Sequence, residues 1–506
     1  MNRNHRPLWL FAGLAAFCGV LFFPFLGARD LIHSHEARAA QNAQMILDEG
    51  HWLVPRLFDH HLELQKPPLY YWLVAVLGWL QGGRVEAWAV RLPAALSASA
   101  CVLFLFLLGI RAKRPLAGFL AAVILASCVH FTWLAQVGRI DMPLTMTITF
   151  ALGAFYLGGV EKPRLWHAFA YVSLGIGLLL KGPIALVLPG VVLGAACVRS
   201  WRAGSGSDRS ESRLARGSST LWWGVPLTLA IAAPLYLWAN LHTDNQLWDV
   251  FFWYHNVERG LGGSEALAAH PWWFYGPRAA VDLLPWSLAV PIAICWFLRN
   301  PELRQDDAAC LGLIWFLAIT TFLSLMRFKR ADYLLPAYPG VAFFLGACAE
   351  RWWRSVCESE AQARAWAPAL ACASGSVIIL YAAGWLIYGA TSVGNHDALP
   401  YRTMAADIRA RTEKPVVFFR AESHLLAYHL GQPVTTIREW ENLEIWAARP
   451  FPVYFVMPEA SAREWRKQLP DGSLEEVLRT SAFVGGKRAR PLVVLRSRGN
   501  ASTMRP

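Results

Sequence analysis

Charged and polar side chains that could together form a site for an anionic substrate lie in a few short segments between long apolar stretches of this sequence. They are His33, His35, Glu36, Arg38, Lys66, Asp141, Lys181, His255, Glu258, Arg259, Arg327, Lys329, Arg330, Asp332 and Tyr333. Ionisable residues beside apolar stretches are costly to place in a membrane, so they are usually functional or paired. Several cations with a few carboxylates and imidazoles suit an anionic substrate, such as a phosphate or pyrophosphate carried on a lipid.

The composition indicates that membrane helices hold these residues. Hydrophobic residues make up 55% of the 506 positions, charged residues only 16%, and the mean hydropathy is +0.33. A soluble globular protein has about 25% charged residues. A net charge of +12 could indicate nucleic-acid binding, but the cations are scattered in short loops between apolar runs, so we predict no nucleic-acid partner. The nine cysteines form no CxxC or Cys/His cluster, so neither a disulfide framework nor a structural zinc site is predicted.

Eleven apolar stretches, give or take one or two, are candidates for membrane spans. A span needs roughly 17–25 mostly apolar residues. The first follows a basic N-terminus with no small-residue cleavage site after it, and we interpret it as an uncleaved anchor. The candidates are Leu8–Leu26, Leu92–Ile110, Leu116–Ala135, Met142–Val160, Ala168–Leu180, Ile184–Val198, Leu221–Asn240, Val281–Leu298, Ala308–Leu325, Leu334–Ala349 and Ala367–Tyr388.

The loops between the candidate spans indicate their orientation. Lys and Arg, which are enriched on the cytoplasmic side of membranes, concentrate in the loops Arg111–Arg114, Glu161–Arg164, Arg199–Arg216 and Glu350–Arg364. Two long segments, 29–91 and 241–280, then lie on the outer face. Within the first of them the apolar stretch Leu69–Leu80 is too short to span comfortably, and we predict that it lies at the outer interface.

The composition changes after the last candidate span. Short β-rich runs at Val416–Phe419, Val453–Met457 and Leu492–Leu495 alternate with helix-like stretches at Ser423–Leu430 and Ser461–Leu469. The sequence therefore predicts an α-helical polytopic membrane domain over residues 1–390, followed by a small C-terminal α/β domain on the outer face over residues 392–506. We expect the α/β domain to have a core of its own.

Eight short motifs, in their order and spacing, resemble the bacterial aminoarabinose transferases and their protein O-mannosyltransferase relatives. The motifs are Ser34–Ala40, Gly50–Pro55, Gln65–Trp72, Val90–Ala94, Leu180–Pro183, His270–Tyr275, Leu284–Ser287 and Tyr333–Pro339. The resemblance covers about residues 8–390. It implies a GT-C fold in the inner membrane and a glycosyltransferase that moves a sugar, with inversion, from a polyprenyl-phosphate donor on the periplasmic face. The partners it implies are that donor, an envelope glycolipid of the lipid A type or a protein as acceptor, and membrane lipids.

The resemblance and the charge pattern together assign candidate roles. A polyprenyl phosphate leaves readily if cations neutralise its developing charge. We predict that the donor phosphate is bound by Arg38, Lys66, Lys181, Arg259, Lys329 and Tyr333. The catalytic candidates are His35, Glu36 and Asp141. A hydroxyl acceptor needs a base, which His35 or Asp141 could supply, whereas a phosphate acceptor needs none.

This chain departs from the family pattern at two positions. His35 stands where the family usually has Asp before Glu36, and Gln65 stands where the family commonly has Glu before Lys66. Both changes remove a negative charge, so the predicted site is more cationic than the family pattern. No cofactor is assigned with certainty, a divalent metal ion stays open, and the segment Asp59–Glu63, although rich in His and carboxylates, is not assigned a metal.

The candidates also have plainly structural interpretations. Lys66 can anchor a helix start at the headgroups, Asp141 can cap the next helix, and Lys329 can snorkel to the interface. As an alternative function, the chain is a transporter of lipid-linked sugars or a binding protein that lost catalysis, consistent with the missing Asp. The sequence favours the enzyme because Lys66, Asp141, Lys181 and Tyr333 all remain, and because the apolar spans supply no polar path through the bilayer midplane.

Overall fold

The computed structural model describes residues 6–31, 33–202, 220–258, 270–357, 360–393, 399–469, 472–479 and 491–498. The chain divides into two compact units that alternate along the sequence. The first unit contains Met1–Leu26, Leu64–Tyr70 and Arg91–Ala390. The second unit contains Gly27–Glu63, Tyr71–Val90 and Thr391–Pro506.

The described residues up to 393 are mostly helical. In chain order the helices are α1 (Arg6–Phe22), α2 (Ser34–Glu49), α3 (Leu69–Leu80), α4 (Ala87–Arg111), α5 (Pro115–Ala126), α6 (Val129–Ala135), α7 (Asp141–Gly158), α8 (Pro163–Lys181), α9 (Ile184–Arg202), α10 (Leu221–Leu241), Trp248–Glu258, Tyr275–Asp282, Ala289–Arg299, Pro301–Arg304, Asp307–Leu325, Tyr338–Val356 and Glu360–Val393. Trp248–Glu258 is a π-helix, and short 3-10 segments occur at Trp272–Phe274, Trp286–Leu288 and Ala331–Ala337.

Several of these helices are long and apolar enough to cross a membrane. Within the described ranges there are five such helices: α4, α9, α10, Asp307–Leu325 and Gly375–Val393. The bent pair of α5 and α6 makes a sixth if it is one span, and shorter apolar helices occupy Pro7–Phe22, Leu69–Leu80 and Trp286–Arg299. The chain therefore has the helices of a multi-pass membrane protein. The count of eleven spans and the interfacial position of Leu69–Leu80 stay predictions.

Two of the predicted spans, the third and the eighth, are interrupted, and their interruptions bond to each other. The third breaks between α5 and α6 with a bend of 70°, and the eighth breaks at Leu284. The backbone N–H of Val129 donates to the carbonyl of Leu284 at 2.9 Å, and the indole N–H of Trp286 donates to the Ser127 hydroxyl at 2.9 Å. Backbone groups freed where a helix breaks in apolar surroundings need such partners. Hydropathy alone does not reveal them.

The second unit is built on a five-stranded sheet with the strand order β2-β1-β3-β5-β4. The strands are β1 (Val416–Phe419), β2 (Val434–Ile437), β3 (Tyr454–Pro458), β4 (Leu474–Arg479) and β5 (Leu492–Ser497). β1 runs parallel to β2 and β3, whereas β5 runs antiparallel to β3 and β4. Helices at Leu399–Arg409, His424–Leu430, Trp440–Ala447 and Glu459–Gln468 accompany the strands, so the predicted α/β pattern is present.

The core on one face of this sheet extends beyond the C-terminal segment. It also contains Met45 of α2 and Phe58, which come from the first predicted outer loop. The backbone N–H of Val434 donates to the carbonyl of Phe58 at 2.9 Å, and the Gln41 amide donates to the carbonyl of His424 at 2.9 Å. The core that the sequence predicted for residues 392–506 alone is therefore completed by residues more than 300 positions earlier in the chain.

Candidate functional site

The ends of α7 and α8 place opposite charges side by side. Asp141 is the first residue of α7, and Lys181 is the last residue of α8. A carboxylate is favoured at a helix N-terminus and an ammonium at a C-terminus, so each helix stabilises its own charge. The Lys181 ammonium donates to the Asp141 carboxylate, and both side chains are mostly buried. Asp141 therefore does more than stabilise its own helix, the structural role that the sequence left open.

Tyr333 contacts the same ammonium. The Nζ atom of Lys181 lies 4.4 Å from the centroid of the Tyr333 ring, which is a cation–π contact. Tyr333 belongs to the 3-10 segment Ala331–Ala337. Three segments that are distant in sequence thus converge on Lys181, and its ammonium is oriented by a carboxylate and an aromatic face.

The turn that follows Lys181 requires glycine. Gly182 has a φ of 77°, a left-handed value that glycine adopts without strain and that costs other residues free energy. A side chain at this position would also collide with the ring of Phe251, which stacks on Tyr236 with 5.7 Å between ring centroids. The glycine therefore permits both the chain reversal between α8 and α9 and the close approach of the π-helix that carries Phe251.

A cavity of about 260 Å³ lies beside these groups. Five residues of the predicted anion site line it: Lys66, Asp141, Lys181, His255 and Tyr333. The other lining residues are Gln65, Leu144, Pro183, Ile184, Val187, Leu188, Phe251, Asn256, Phe322, Leu323, Met326, Phe328 and Pro336. Lys66 also acts electrostatically on the Asp141 carboxylate. The cavity therefore has a polar part with two ammonium groups and one carboxylate, and its remaining wall is largely apolar.

Lys329, one of the predicted phosphate ligands, is not among the residues that line this cavity. Lys329 is 3% exposed, and its ammonium donates to the backbone carbonyl of His270 at 3.0 Å and to that of Met326. These contacts favour a structural role for Lys329, because its donors already serve backbone carbonyls. Arg259 lies outside the described residues. Phosphate binding by either residue stays a prediction.

His35, Glu36 and Arg38 belong to α2 in the second unit. The Nη2 atom of Arg38 donates to the Oε2 atom of the buried Glu63 at 2.7 Å. Burial alone would lower the pKa of the Arg38 guanidinium, but the interactions with Glu63, Tyr71 and Glu422 together raise that pKa overall. Glu36 is fully buried and His35 is partly buried. Arg38 thus forms an ion pair within its own unit, and the predicted roles of the three residues stay predictions.

Metal-binding geometry was left open by the sequence. Within the part of the chain that the structure describes, no group of three or more His, Cys, Asp or Glu side chains is arranged to hold a metal ion. In the segment Asp59–Glu63, the Asp59 carboxylate lies 3.0 Å from the His61 ring and accepts a hydrogen bond from the Thr436 hydroxyl at 3.0 Å.

A buried polar cluster in the first unit contains Asp332, which the sequence analysis considered, and four residues that it missed as candidates. The Nδ1 atom of His130 lies 2.9 Å from the Tyr338 hydroxyl, which donates to Asp282 at 3.2 Å. In the same cluster Arg139 pairs with Asp332. His130 and Asp282 lie inside apolar stretches that were predicted to be spans, so the high cost of ionisable groups in such stretches was the signal that could have found them.

Known proteins resemble the chain in both sequence and structure. The family model for dolichyl-phosphate-mannose-protein mannosyltransferases matches residues 65–208. The undecaprenyl phosphate-alpha-4-amino-4-deoxy-L-arabinose arabinosyl transferase of Pseudomonas paraeruginosa is 30% identical over 356 residues, which are 68% of this chain and 60% of that protein. Arabinosyl transferase 1 of Pseudomonas fluorescens is 28% identical over 352 residues, 68% of this chain and 58% of that protein. The matches thus span less than two thirds of the length of these relatives.

Two solved structures resemble this chain over most of its length. ArnT from Cupriavidus metallidurans bound to undecaprenyl phosphate has a TM-score of 0.75 at 20% identity, with 96% of this chain and 97% of that chain covered. The 30% identity to the arabinosyl transferase of Pseudomonas paraeruginosa over 68% of this chain shows that the chain belongs to the aminoarabinose transferase family, as the sequence predicted. The archaeal oligosaccharyltransferase AglB from Archaeoglobus fulgidus, solved with an inhibitory peptide and a dolichol-phosphate, has a TM-score of 0.59 at 11% identity, with 92% and 72% covered. At these identities the structural likeness shows the fold, which is the fold of these membrane glycosyltransferases.

Proposed function

We propose that this chain is a membrane glycosyltransferase that moves a sugar from a polyprenyl-phosphate donor to an acceptor in the cell envelope. The named relatives act as arabinosyl transferases with an undecaprenyl phosphate-linked sugar. The proposed acceptor is a glycolipid of the lipid A type or an envelope protein. Transfer occurs on the periplasmic face of the inner membrane with inversion at the sugar.

The observation that best supports the proposal is that the cavity beside Lys66 and Lys181 adjoins a second, apolar cavity that is long enough for part of a lipid chain. The second cavity, of about 500 Å³, is lined almost wholly by apolar side chains of α9, Ala289–Arg299 and Asp307–Leu325. It follows the helix Asp307–Leu325 from Cys310 to Leu325, about 22 Å at 1.5 Å per residue. Phe322 lines both cavities. A phosphate beside Lys66 and Lys181 can therefore continue into a hydrocarbon chain beside Phe322.

The polar part of the cavity provides the chemistry that such a donor needs. In the proposed reaction an acceptor oxygen forms a bond to the anomeric carbon while the bond from that carbon to the phosphate oxygen breaks. Negative charge grows on the departing polyprenyl phosphate, and the ammonium groups of Lys66 and Lys181 stabilise it. A single displacement of this kind inverts the anomeric centre.

The ion pair between Asp141 and Lys181 makes Asp141 a poor general base for a hydroxyl acceptor. A carboxylate that accepts a hydrogen bond from an ammonium is weakened as a proton acceptor, because protonation would cost the ion pair. In this proposal Asp141 holds Lys181 in place, as their contact indicates. A hydroxyl acceptor would then need another base, for which His35 stays the predicted candidate, whereas a phosphate acceptor would need no base.

The topology proposed with this function follows the distribution of Lys and Arg. The chain crosses the inner membrane about eleven times, its short basic loops are cytoplasmic, and the C-terminal α/β domain over residues 392–506 lies outside. The donor phosphate and the acceptor then meet on the periplasmic side.

Mass spectrometry of the envelope tests the function directly. Glycolipids and glycoproteins are compared between cells with the gene, cells without it, and deletion cells that carry a variant. We expect one glycan modification to disappear on deletion and to return with the wild-type gene and with Lys162→Ala, which changes an exposed lysine. Lys66→Ala and Lys181→Ala should not restore it. Full restoration by the double variant Lys66→Ala/Lys181→Ala would contradict the proposal and favour transport or binding without catalysis.

A further inference from the structure

Two buried carboxylates of the first unit are each held by arginine side chains. Asp282 accepts from Arg278 at 2.7 Å. Asp332 accepts from Arg139 and lies 3.4 Å from a guanidinium nitrogen of Arg330. The carboxylate side chains are only 4% and 11% exposed. Because a buried carboxylate is costly unless it is paired and hydrogen-bonded, these contacts fix the segments that carry them.

His130 joins the two carboxylates. Its Nδ1 atom lies 2.9 Å from the Tyr338 hydroxyl and 3.5 Å from Asp282, and its Nε2 atom lies 3.7 Å from Asp332. The imidazole ring stacks on Trp133 with 5.8 Å between centroids and 15° between planes. The cluster therefore connects α6 to the helices Tyr275–Asp282 and Tyr338–Val356 and to the 3-10 segment that carries Asp332.

Both members of the Arg139–Asp332 ion pair are close in sequence to residues that line the cavity. Arg139 stands two residues before Asp141, and Asp332 stands directly before Tyr333. Asp141 and Tyr333 are the two groups that hold the Lys181 ammonium. The ion pair thus crosses between the same two segments as the contacts to Lys181, and it limits how far those segments can separate.

We propose that Asp332 is a positioning residue: through Arg139 it keeps Asp141 and Tyr333 at the separation that places the Lys181 ammonium for the donor phosphate. The role of Lys181 in binding the donor phosphate rests on the proposed function, whereas its placement by Asp141 and Tyr333 does not. Asp332 need not touch the substrate. Its effect is carried by the two segments that contact Lys181.

The test combines a geometric readout with a binding readout on the purified full-length protein. The first is the rate at which Lys181 reacts with a water-soluble amine-reactive ester, followed by peptide mass spectrometry with exposed Lys162 as the internal reference. The second is the Kd for undecaprenyl phosphate. The variants are Asp332→Asn, Arg139→Gln and their double variant. The double variant removes both charges of the pair, so neither is left without its partner.

A matched control is available in the same unit. Asp306 accepts from Arg114 at 2.7 Å, and the two side chains are 15% and 21% exposed. Asp306 also caps the helix Asp307–Leu325 through the N–H groups of Ala308 and Ala309, a role that asparagine can keep. Asp306→Asn therefore removes a comparable ion pair that has no contact with Lys181.

We expect Lys181 to react several-fold faster in Asp332→Asn and Arg139→Gln, and the Kd to rise by about tenfold. Asp306→Asn should leave both readouts within about twofold of the wild type, and the double variant should be no worse than either single variant. An unchanged Lys181 rate in Asp332→Asn, or an equal rise in Asp306→Asn, would overturn the proposal. If the Lys181 rate rises as expected while the wild type binds no undecaprenyl phosphate, the proposed function fails and the positioning role stands.

Discussion

The ammonium of Lys181 lies 4.4 Å from the centroid of the Tyr333 ring while it donates to the Asp141 carboxylate. A lysine held in this way loses little further freedom when it binds an anion, since its orientation is already set. Preorganised charge of this kind stabilises a developing negative charge better than a mobile side chain does.

Substitutions at Tyr333 should separate the contribution of its hydroxyl from that of its ring. We expect Tyr333→Phe to weaken undecaprenyl phosphate binding by about tenfold, because the proposed hydrogen bond from the Tyr333 hydroxyl to the donor phosphate is lost. Tyr333→Leu should weaken it by a further fewfold, because the cation–π contact to Lys181 is lost as well. Isothermal titration of the purified protein measures both. Equal affinities of the two variants would show that the ring contributes nothing.

Gly182→Ala should abolish most activity. The substitution forces a left-handed backbone on alanine and drives its methyl group into the Phe251 ring, which displaces the turn that carries Lys181. Gly190→Ala in α9 is the control, since a methyl group there has no neighbour within 4 Å and alanine favours a helix. Sugar transfer and thermal unfolding are measured for both. Wild-type transfer by Gly182→Ala would mean that the turn does not position Lys181.

His35 should impose a pH dependence on transfer to a hydroxyl acceptor. If neutral His35 is the base, activity rises with pH over the range in which the imidazole loses its proton. If an imidazolium binds the phosphate, activity falls over that range. We expect the rise, since Lys66 and Lys181 already supply cations. His35→Asn should be slower and flat over this range. A wild-type rate and profile in His35→Asn would eliminate both roles.

Removal of residues 391–506 should destabilise the first predicted outer loop. Met45 and Phe58 share a core with the C-terminal sheet, so truncation exposes both. Limited proteolysis should then cleave within residues 27–63, which the full chain protects. Phe58→Ala should cost about 3–5 kcal/mol of stability in the second unit, whereas Ile445→Ala, at a side chain that is 65% exposed, should cost little. Equal protection of the loop in the truncated chain would contradict this expectation.

The sequence showed which residues to consider more readily than it showed their partners. Lys66, Asp141, Lys181 and Tyr333 stood out because polar groups beside apolar stretches are rare, and the structure brings them to one cavity. The backbone carbonyls that accept from Lys329 leave no trace in a residue pattern. The contacts of His130 could not be predicted from the sequence, because its partners Tyr338 and Asp332 lie about 200 positions further along the chain.

In the fold, too, the helices and strands could be predicted from the sequence, but the contacts between distant segments could not. The helices and strands follow from local patterns, since apolar stretches and β-rich runs mark them directly. The pairing of the two span interruptions through Val129 and Leu284 depends on a contact across more than 150 positions. The inclusion of Phe58 in the core of the C-terminal sheet likewise depends on tertiary packing, which no single stretch of sequence records.

The shared core of the second unit has a consequence for how the protein is made. Phe58 is synthesised more than 400 residues before the last strand, Leu492–Ser497. At about 5–20 residues per second, the ribosome needs roughly 20 to 90 seconds to cover that distance. During this delay α2 and the loop after it have no sheet to pack against, and their apolar side chains remain available to chaperones and proteases. Substitutions in this core should therefore act mainly during biogenesis, where they reduce the amount of protein in the cell, and should have less effect on the activity of the protein that folds.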